Sequence, residues 1–193
     1  MLRALALMAL LLPLSALADR YDEAVGAAFP GFRIMGPSEI GLVKDEMSPK
    51  HYAEVKDRPG LITGDFNADG RPDFAALIRH PVKKRDKYSE YYDGHLVACY
   101  GLEGGKFDCV AITTERMQVP FQWYLTTVPP GQQTCYGSRT HDTQDPAPRD
   151  EQGDDTTLTT RQDAIGYFRT MGNGDIMYVY RTRTRYTLCI LSD

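Results

Sequence analysis

Histidine and the common catalytic motifs are scarce in this chain of 193 residues. The four histidines are His51, His80, His95 and His141. None of them belongs to an H-x-H, an H-E-x-x-H or a cysteine–histidine zinc spacing. No G-x-S-x-G motif is present, and Ser138, His141 and Asp142 lie too close in sequence for a triad whose members normally converge from distant positions. The pattern disfavours a histidine-based zinc site and a serine hydrolase.

The chain also lacks an excess of positive charge. It carries 22 Lys and Arg against 26 Asp and Glu, which gives a net charge of −4 with neutral histidines. A mildly acidic protein has little electrostatic attraction to the phosphate backbone of nucleic acid. We therefore expect no nucleic-acid partner.

Long apolar runs are absent beyond the N-terminus. The apolar run over residues 4–14 follows a positive start at Arg3 and precedes the small-residue cleavage signal Ala16-Leu17-Ala18. This run is too short to cross a membrane comfortably, and no cysteine follows the cleavage signal to carry a lipid anchor. These features predict a Sec-type signal peptide over residues 1–18 and a single domain over residues 19–193. We expect a periplasmic or secreted protein without a membrane span.

Four cysteines are present, an even number that predicts two disulfides in an exported chain. Four cysteines allow three pairings. Cys99 and Cys109 lie in strand-like segments placed symmetrically about Gly104, so a hairpin would bring them face to face. That leaves Cys135 to pair with Cys189, which would tie a mid-chain loop to the C-terminal strand.

Residues 64–74, GDFNADGRPDF, form the segment with the most specific chemistry. Oxygen-bearing side chains recur at alternate positions, and Gly70 stands where the chain must turn sharply. Calcium prefers such a set of oxygen ligands. The predicted ligands are the side chains of Asp65, Asn67, Asp69 and Asp73 and the carbonyl of Arg71. An EF-hand would need a glutamate at the position of Ala76, so the loop is not an EF-hand.

The same segment, followed by the apolar run 74–78, resembles the calcium loop of FG-GAP (VCBS, integrin-α-like) repeats. Those repeats place a D-x-N-x-D-G-x-x-D loop between antiparallel strands. The resemblance implies a calcium-supported β-hairpin or blade in a binding protein. It covers a small part of the chain, and residues 166–176 are at most a degenerate second copy, whereas a propeller needs about four blades. The chain also looks like small exported bacterial proteins that carry one such loop.

The rest of the chain predicts short strands and turns. The 12 tyrosines and an aromatic content of 10% favour β structure. We expect a short helix over residues 22–29, helix starts near Pro37 and Pro49, and an exposed, mobile loop near residues 141–155. Strands are expected over residues 61–63, 74–78, 95–100, 107–112, 118–128, 175–180 and 185–191. The predicted fold is a mainly β, single antiparallel domain of blade-like hairpins with a short helical N-terminal segment; α+β by content is the alternative.

Two clusters combine basic and aromatic residues. The first contains Lys83, Lys84, Arg85, Tyr88, Tyr91 and Tyr92. The second contains Arg181, Arg183 and Arg185 beside Tyr178, Tyr180 and Tyr186. Tyrosine and arginine are typical of interface hot spots, and a positive patch suits an anionic partner. The alternative is a solvated loop and an edge hairpin that charge protects against aggregation.

Two classes of function remain open. The first is a monomeric, non-catalytic, calcium-binding module of the bacterial envelope that binds an envelope or secreted protein or an anionic glycan. A concrete version is a periplasmic inhibitor or immunity protein that blocks a cell-wall-active enzyme. The second is a small secreted hydrolase with a carboxylate site. A deep pocket with converging carboxylates or histidines would favour the enzyme, and a convex surface with exposed tyrosine and arginine would favour the binding module.

Overall fold

Strands dominate the structure. The computed structural model describes residues 14–42, 44, 47, 49–142, 154–169, 176–182 and 185–191, and it gives backbone alone for 14–19, 51, 136–142, 154–156, 176–182 and 185. The helices are α1 (Leu14–Ala28) and α2 (Pro49–Val55). The strands are β1 (Arg33–Ile34), β2 (Leu61–Gly64), β3 (Asp73–Arg85), β4 (Glu90–Gly101), β5 (Phe107–Met117), β6 (Trp123–Val128), β7 (Gly131–Asp142), β8 (Asp154–Thr160), β9 (Ala164–Arg169), β10 (Ile176–Thr182) and β11 (Arg185–Leu191).

These strands form two antiparallel sheets in the described part of the chain. The first sheet has the order β1-β3-β4-β5, and β2 also pairs with β3. The second sheet has the order β6-β9-β10-β11-β7-β8. Strands account for 55% and helices for 17% of the described structure, so the prediction of a mainly β antiparallel fold is confirmed.

The first sheet is buried on both faces. Its inner face packs against the second sheet in a cluster that includes Leu77, Leu96, Tyr100, Leu125 and Tyr167. Its outer face packs against α1 in a cluster that includes Tyr21, Val25, Phe74, Ile78 and Val97. Because successive side chains of a strand point to opposite faces, burial on both faces requires the continuous apolar run over residues 74–78.

Several predicted boundaries were wrong. The strand over residues 74–78 continues past Pro81 to Arg85, because Pro81 falls where the β3–β4 register shifts between Arg79 and Lys83 and no ladder amide is needed. The strand expected from residue 118 begins at Trp123. Residues 118–122 instead form a connection that contains a cis Val119–Pro120 bond. Within this connection, Phe121 forms an isolated β-bridge with residue 40.

The predicted N-terminal helix and the predicted loop over residues 141–155 also differ from the structure. Helix α1 begins at Leu14 and runs across the predicted cleavage point at Ala18, whereas the expected helix began at residue 22. The expected loop over 141–155 has its two ends inside β7 and β8, and residues 143–153 lie outside the described part. Within the described residues, no helix is long and apolar enough to cross a membrane.

Both predicted disulfides are confirmed. Cys99 and Cys109 are directly paired residues of β4 and β5 with Cα atoms 4.0 Å apart. Cys135 bonds to Cys189 with Cα atoms 5.2 Å apart, and it lies in strand β7 rather than in the loop that we expected. The second disulfide therefore staples neighbouring strands of the second sheet.

The two disulfides should contribute unequally to stability. The Cys135–Cys189 bond closes a separation of 54 residues and the Cys99–Cys109 bond one of 10. On the chain-entropy model these loops are worth about 4 and about 2.5 kcal/mol. We expect the Cys135→Ala/Cys189→Ala variant to lose about 1.5 kcal/mol more unfolding free energy in urea than Cys99→Ala/Cys109→Ala. An equal or reversed order would contradict the entropic account.

Candidate functional site

The oxygen-rich loop that joins β2 to β3 is organised by its own side chains. Asp65 accepts hydrogen bonds from the N–H groups of Asp69, at 3.1 Å, and Gly70, at 3.0 Å. Asn67 Oδ1 accepts the Asp69 N–H at 3.0 Å, and Asp69 Oδ1 accepts the Arg71 N–H at 2.9 Å. Gly70 has a φ of 77°, as its predicted place at the sharp turn requires. The side chains thus replace the backbone partners that a strand ladder would supply.

Asp73, the last predicted ligand, is buried at the base of the loop. Its carboxylate accepts the Phe66 N–H at 2.9 Å and the Gly101 N–H at 2.8 Å, and the residue is 1% exposed. Burial raises its pKa to about 6, and the negative charges of Asp69 and Asp65 add to this rise against the two amide hydrogen bonds. The site therefore holds several carboxylates close together, which a bound cation would stabilise.

The loop also connects the two sheets. Phe66 is fully buried in the core between them. The Asp65 N–H donates to the Asp163 carboxylate, just before β9, at 3.2 Å. On the other side, Arg71 Nη2 lies 3.3 Å from Glu103 Oε1. No local pattern signals the contact with Asp163, because the two residues are 98 positions apart.

The side-chain oxygen atoms of this loop are of the kind that calcium prefers as ligands. A carboxylate or amide oxygen keeps a second lone pair beyond the hydrogen bond that it accepts. However, the two oxygens of Asp73 point to the amides of Phe66 and Gly101. Among the described residues, no group of three or more His, Cys, Asp or Glu is arranged to hold a metal ion. Calcium at Asp65, Asn67, Asp69, Arg71 and Asp73 stays a prediction.

The first basic cluster lies at the end of the β3–β4 hairpin, where its charges are largely paired. Lys83 Nζ lies 2.8 Å from Glu90, and Lys84 forms an ion pair with Asp93. Arg116 of β5 pairs with Asp86 in the hairpin turn at 3.2 Å. These contacts neutralise Lys83 and Lys84, whereas Arg85 forms no ion pair among the described residues, so the positive charge of the predicted patch is reduced and not removed.

Apolar exposure is concentrated at the same place. Among the described residues, the large hydrophobic side chains that stay exposed are Val82, Tyr88 and Val119, at 57%, 82% and 42%. Lys83, Tyr92 and Val119 line a cavity of about 520 Å³ beside the hairpin. We call the set Val82, Lys83, Tyr88, Tyr92 and Val119 the hairpin-end surface.

Cations lie over the tyrosine rings of this hairpin. The guanidinium of Arg79 is 4.0 Å from the Tyr92 ring centroid, and that of Arg116 is 5.0 Å from the Tyr91 centroid. These contacts hold the two rings in fixed positions. Tyr88 is contacted by Lys87 at 4.5 Å, yet its side chain remains the most exposed of the large hydrophobics.

The second basic cluster belongs to the other sheet. Arg181 lies in β10 and Arg185 in β11, and Arg183 lies outside the described residues. The structure does not describe the side chains of Arg181 and Arg185, so their role stays a prediction. Tyr186, which we grouped with them, is 1% exposed and belongs to the core.

The structure also places the residues of the disfavoured serine-hydrolase triad and one of the histidines. Ser138, His141 and Asp142 lie in strand β7 rather than in a loop, and only their backbone is described. His95 lies on β4, half-buried against the rings of Phe29 and Phe32. Burial lowers the pKa of His95, which therefore favours the neutral ring packed against these aromatic side chains.

Sequence reasoning missed an ion triad in which Glu39 and Arg79 are buried and Arg33 is exposed. Glu39 accepts hydrogen bonds from Arg33 Nη1 at 2.6 Å and from the Gly36 N–H at 3.0 Å, and Arg79 also donates to it. Glu39 and Arg79 are each only 8% exposed. Burial pushes the pKa of Glu39 upward, but the bonds from Arg33, Gly36 and Arg79 outweigh it and lower the pKa to about 2. The triad holds Arg79 against Tyr92 of the hairpin-end surface.

The chain matches no protein-family model, and neither the curated proteins nor the solved structures contain a significant match to it. The resemblance to FG-GAP repeats therefore rests on the loop residues alone.

Removing the central carboxylate of the triad should destabilise the fold strongly. We expect Glu39→Gln to lower the unfolding free energy by about 3–5 kcal/mol at neutral pH, since it leaves the buried Arg79 charge uncompensated. The measurement is urea unfolding of both proteins from neutral pH down to about 2. Glu103→Gln is the matched control, because Glu103 is an exposed ion-pair partner and should contribute less than about 1 kcal/mol.

The pH dependence has a defined sign. The pKa of Glu39 falls from 4.5 to about 2 in the folded protein, so its stabilisation is complete above 4.5 and is lost as the pH falls toward 2. The difference in unfolding free energy between wild type and Glu39→Gln should therefore become smaller as the pH falls from 4.5 toward 2. A constant gap would contradict the assignment of the depressed pKa to Glu39.

Proposed function

We propose that this protein is an exported, non-catalytic binding domain of the bacterial envelope, supported by disulfides and calcium, whose hairpin-end surface contacts a partner protein. The observation that carries the proposal is that Val82, Tyr88 and Val119, the exposed large hydrophobic residues of the described part, all lie in or beside the β3–β4 hairpin. Clustered apolar exposure with ordered aromatic and cationic groups is typical of protein interaction sites.

Two features support the proposed export to the bacterial envelope. The sequence carries the pattern of a signal peptide over residues 1–18. Every cysteine of the chain is in a disulfide, and disulfides persist in oxidising compartments such as the periplasm.

The charges at the hairpin end favour a protein over an anionic glycan. Lys83, Lys84 and Arg116 already pair with carboxylates, so they offer little free positive charge to a polyanion. A partner protein gains from burying Val82 and Tyr88 and meets a polar rim that carries charges of both signs. An inhibitor or immunity protein that blocks a cell-wall-active enzyme is a partner relationship of this kind.

A small secreted hydrolase with a carboxylate site is the second candidate. Glu54 and Asp57 line a cavity of about 430 Å³ beside Leu125. Both carboxylates are exposed, and their pairing with Lys50 and Lys56 is that of ordinary surface residues. This cavity supports a hydrolase less well than the hairpin end supports a binding surface.

Capture of a partner should depend on the hairpin-end surface. We expect immobilised wild-type protein to retain one or more proteins from an envelope extract, and Val82→Ser/Tyr88→Ser to bind the captured, purified partner about thirtyfold more weakly. Hot-spot truncations cost about 2 kcal/mol or more, which corresponds to that factor. The affinity is measured by calorimetry.

The control variant is Lys56→Ser/Asp57→Ser, which changes two exposed residues outside the hairpin end. It should bind the partner as wild type does. Retention that resists protease treatment of the extract but falls steeply with salt would identify an anionic glycan instead. Equal binding by the hairpin-end and control variants would refute the proposed surface.

Calcium binding at the β2–β3 loop belongs to the same proposal. The side chains of Asp65, Asn67 and Asp69 and the Arg71 carbonyl would hold the ion, with Asp73 at the base of the loop. Bound calcium would neutralise the crowded carboxylates and stiffen the connection between the two sheets through Asp65. Its role in this proposal is structural.

Calcium should raise the stability of the folded protein. For a Kd of about 0.1 mM, calcium at about 1 mM stabilises the folded state by about 1.4 kcal/mol by mass action. We expect higher thermal stability with calcium than with chelator for wild type and no such difference for Asp69→Ala. Asp57→Ala, which removes an exposed carboxylate elsewhere, should keep the calcium response. No response in wild type, or an equal response to magnesium, would argue against a dedicated calcium site.

A further inference from the structure

A groove separates helix α1 from the start of strand β5. It has a volume of about 570 Å³. Its helix side is formed by Arg20, Glu23, Ala24, Ala27 and Ala28, and its strand side by residues 105–109. The small alanine side chains leave the space open, and Phe107 and the Cys109 half of the first disulfide give it an apolar floor.

Among the described residues, Arg20 at one end of this groove has no polar partner. Its guanidinium lies over the Phe107 ring, with Cζ 4.6 Å from the ring centroid. Its Nε is shielded from solvent and has no hydrogen-bond partner. In the described part of the chain, no carboxylate forms an ion pair with Arg20, although Glu23 and Asp108 lie on the groove's rim. A cation that lies on an aromatic face and forms no ion pair suits an anionic group.

We propose that the α1–β5 groove binds an anionic amphiphile, with its carboxylate or phosphate group at Arg20 and its unbranched alkyl chain along the alanine side of α1. This site is independent of the calcium loop and of the hairpin-end surface. Arg20 and Phe107 supply the charged end, and Ala24, Ala27 and Ala28 supply the apolar path.

The dimensions and charges of the groove fit this ligand class. Arg20 and Ala28 are eight positions apart on one helix, a distance of about 12 Å along its axis. An alkyl chain of medium length can follow that path. The rim charges of Lys106, Glu23 and Asp108 are exposed and of mixed sign, so they are screened and do not attract a polyanion. A ligand with a single anionic head and an apolar tail would place its head at Arg20, the cation of the groove that is partly withdrawn from water.

Arg20 follows the predicted cleavage point at Ala18, so cleavage there would leave Arg20 in the mature chain. The test titrates octanoate, dodecanoate, dodecyl phosphate and dodecanol into the purified protein. Alanine methyl NMR signals report on Ala24, Ala27 and Ala28, and calorimetry gives the affinity. We expect dodecanoate to bind more tightly than octanoate, because a longer chain buries more apolar surface. We expect dodecanol to bind about tenfold more weakly or worse, since it lacks the charge for Arg20.

Matched variants locate the head group. Arg20→Gln should weaken dodecanoate binding by about tenfold or more, and Lys106→Gln, which removes the same charge from the rim, by less than about fivefold. Arg20→Lys should restore part of the affinity. Gly26→Ala, whose added Cβ meets nothing within 4 Å, should leave binding unchanged. Thermal melts show whether each variant is folded.

Three results would overturn the proposal. The first is the absence of alanine methyl shifts with every alkyl anion tested. The second is equal binding of dodecanol and dodecanoate, which would mean simple adsorption to an apolar surface. The third is an equal loss in Arg20→Gln and Lys106→Gln, which would mean a diffuse electrostatic effect. A preference for dodecyl phosphate over dodecanoate would support the site and identify a phosphate-headed lipid as the better ligand.

Discussion

Burial of the first sheet on both faces is the constraint on which the rest of the structure depends. Strands β3 and β4 pack against the second sheet on one side and against α1 on the other, so their central residues are apolar throughout. Polar chemistry is thereby displaced to the two ends of the β3–β4 pair. The oxygen-rich loop precedes β3 at one end, and the tyrosine- and lysine-rich hairpin joins β3 to β4 at the other. Both candidate sites are consequences of this arrangement.

Each end of the sheet is anchored by a buried acidic residue. Asp73 fixes the loop end through the amides of Phe66 and Gly101. Glu39 fixes the region next to the hairpin end through Arg79, which in turn lies over Tyr92. A buried carboxylate with several donors is costly to leave unpaired, so each anchor specifies one arrangement of its surroundings. The candidate surfaces are therefore built on rigid supports rather than on free loops.

Local pattern was sufficient for some of these features and not for others. The Gly104 turn placed Cys99 opposite Cys109, and by elimination this paired Cys135 with Cys189. The oxygen-rich loop was located between strands, with its turn at Gly70. The ion triad around Glu39 and the contact of Asp65 with Asp163 were missed, because each joins residues whose proximity exists only after the sheets have packed. The strand through Pro81 was missed because a register shift, which has no local signature, tolerates the missing amide.

Helix α1 has a consequence for the colloidal behaviour of the protein. The helix covers the outer face of β3 and β4, where Phe74, Ile78 and Val97 have no exposed surface. A single proteolytic cut in the segment between Ala28 and Arg33 would leave this cover attached by packing alone. Its dissociation would present a flat apolar sheet face to water, and such faces drive self-association. The short connection after α1 is therefore the point at which a cut would most directly convert this domain into an aggregating one.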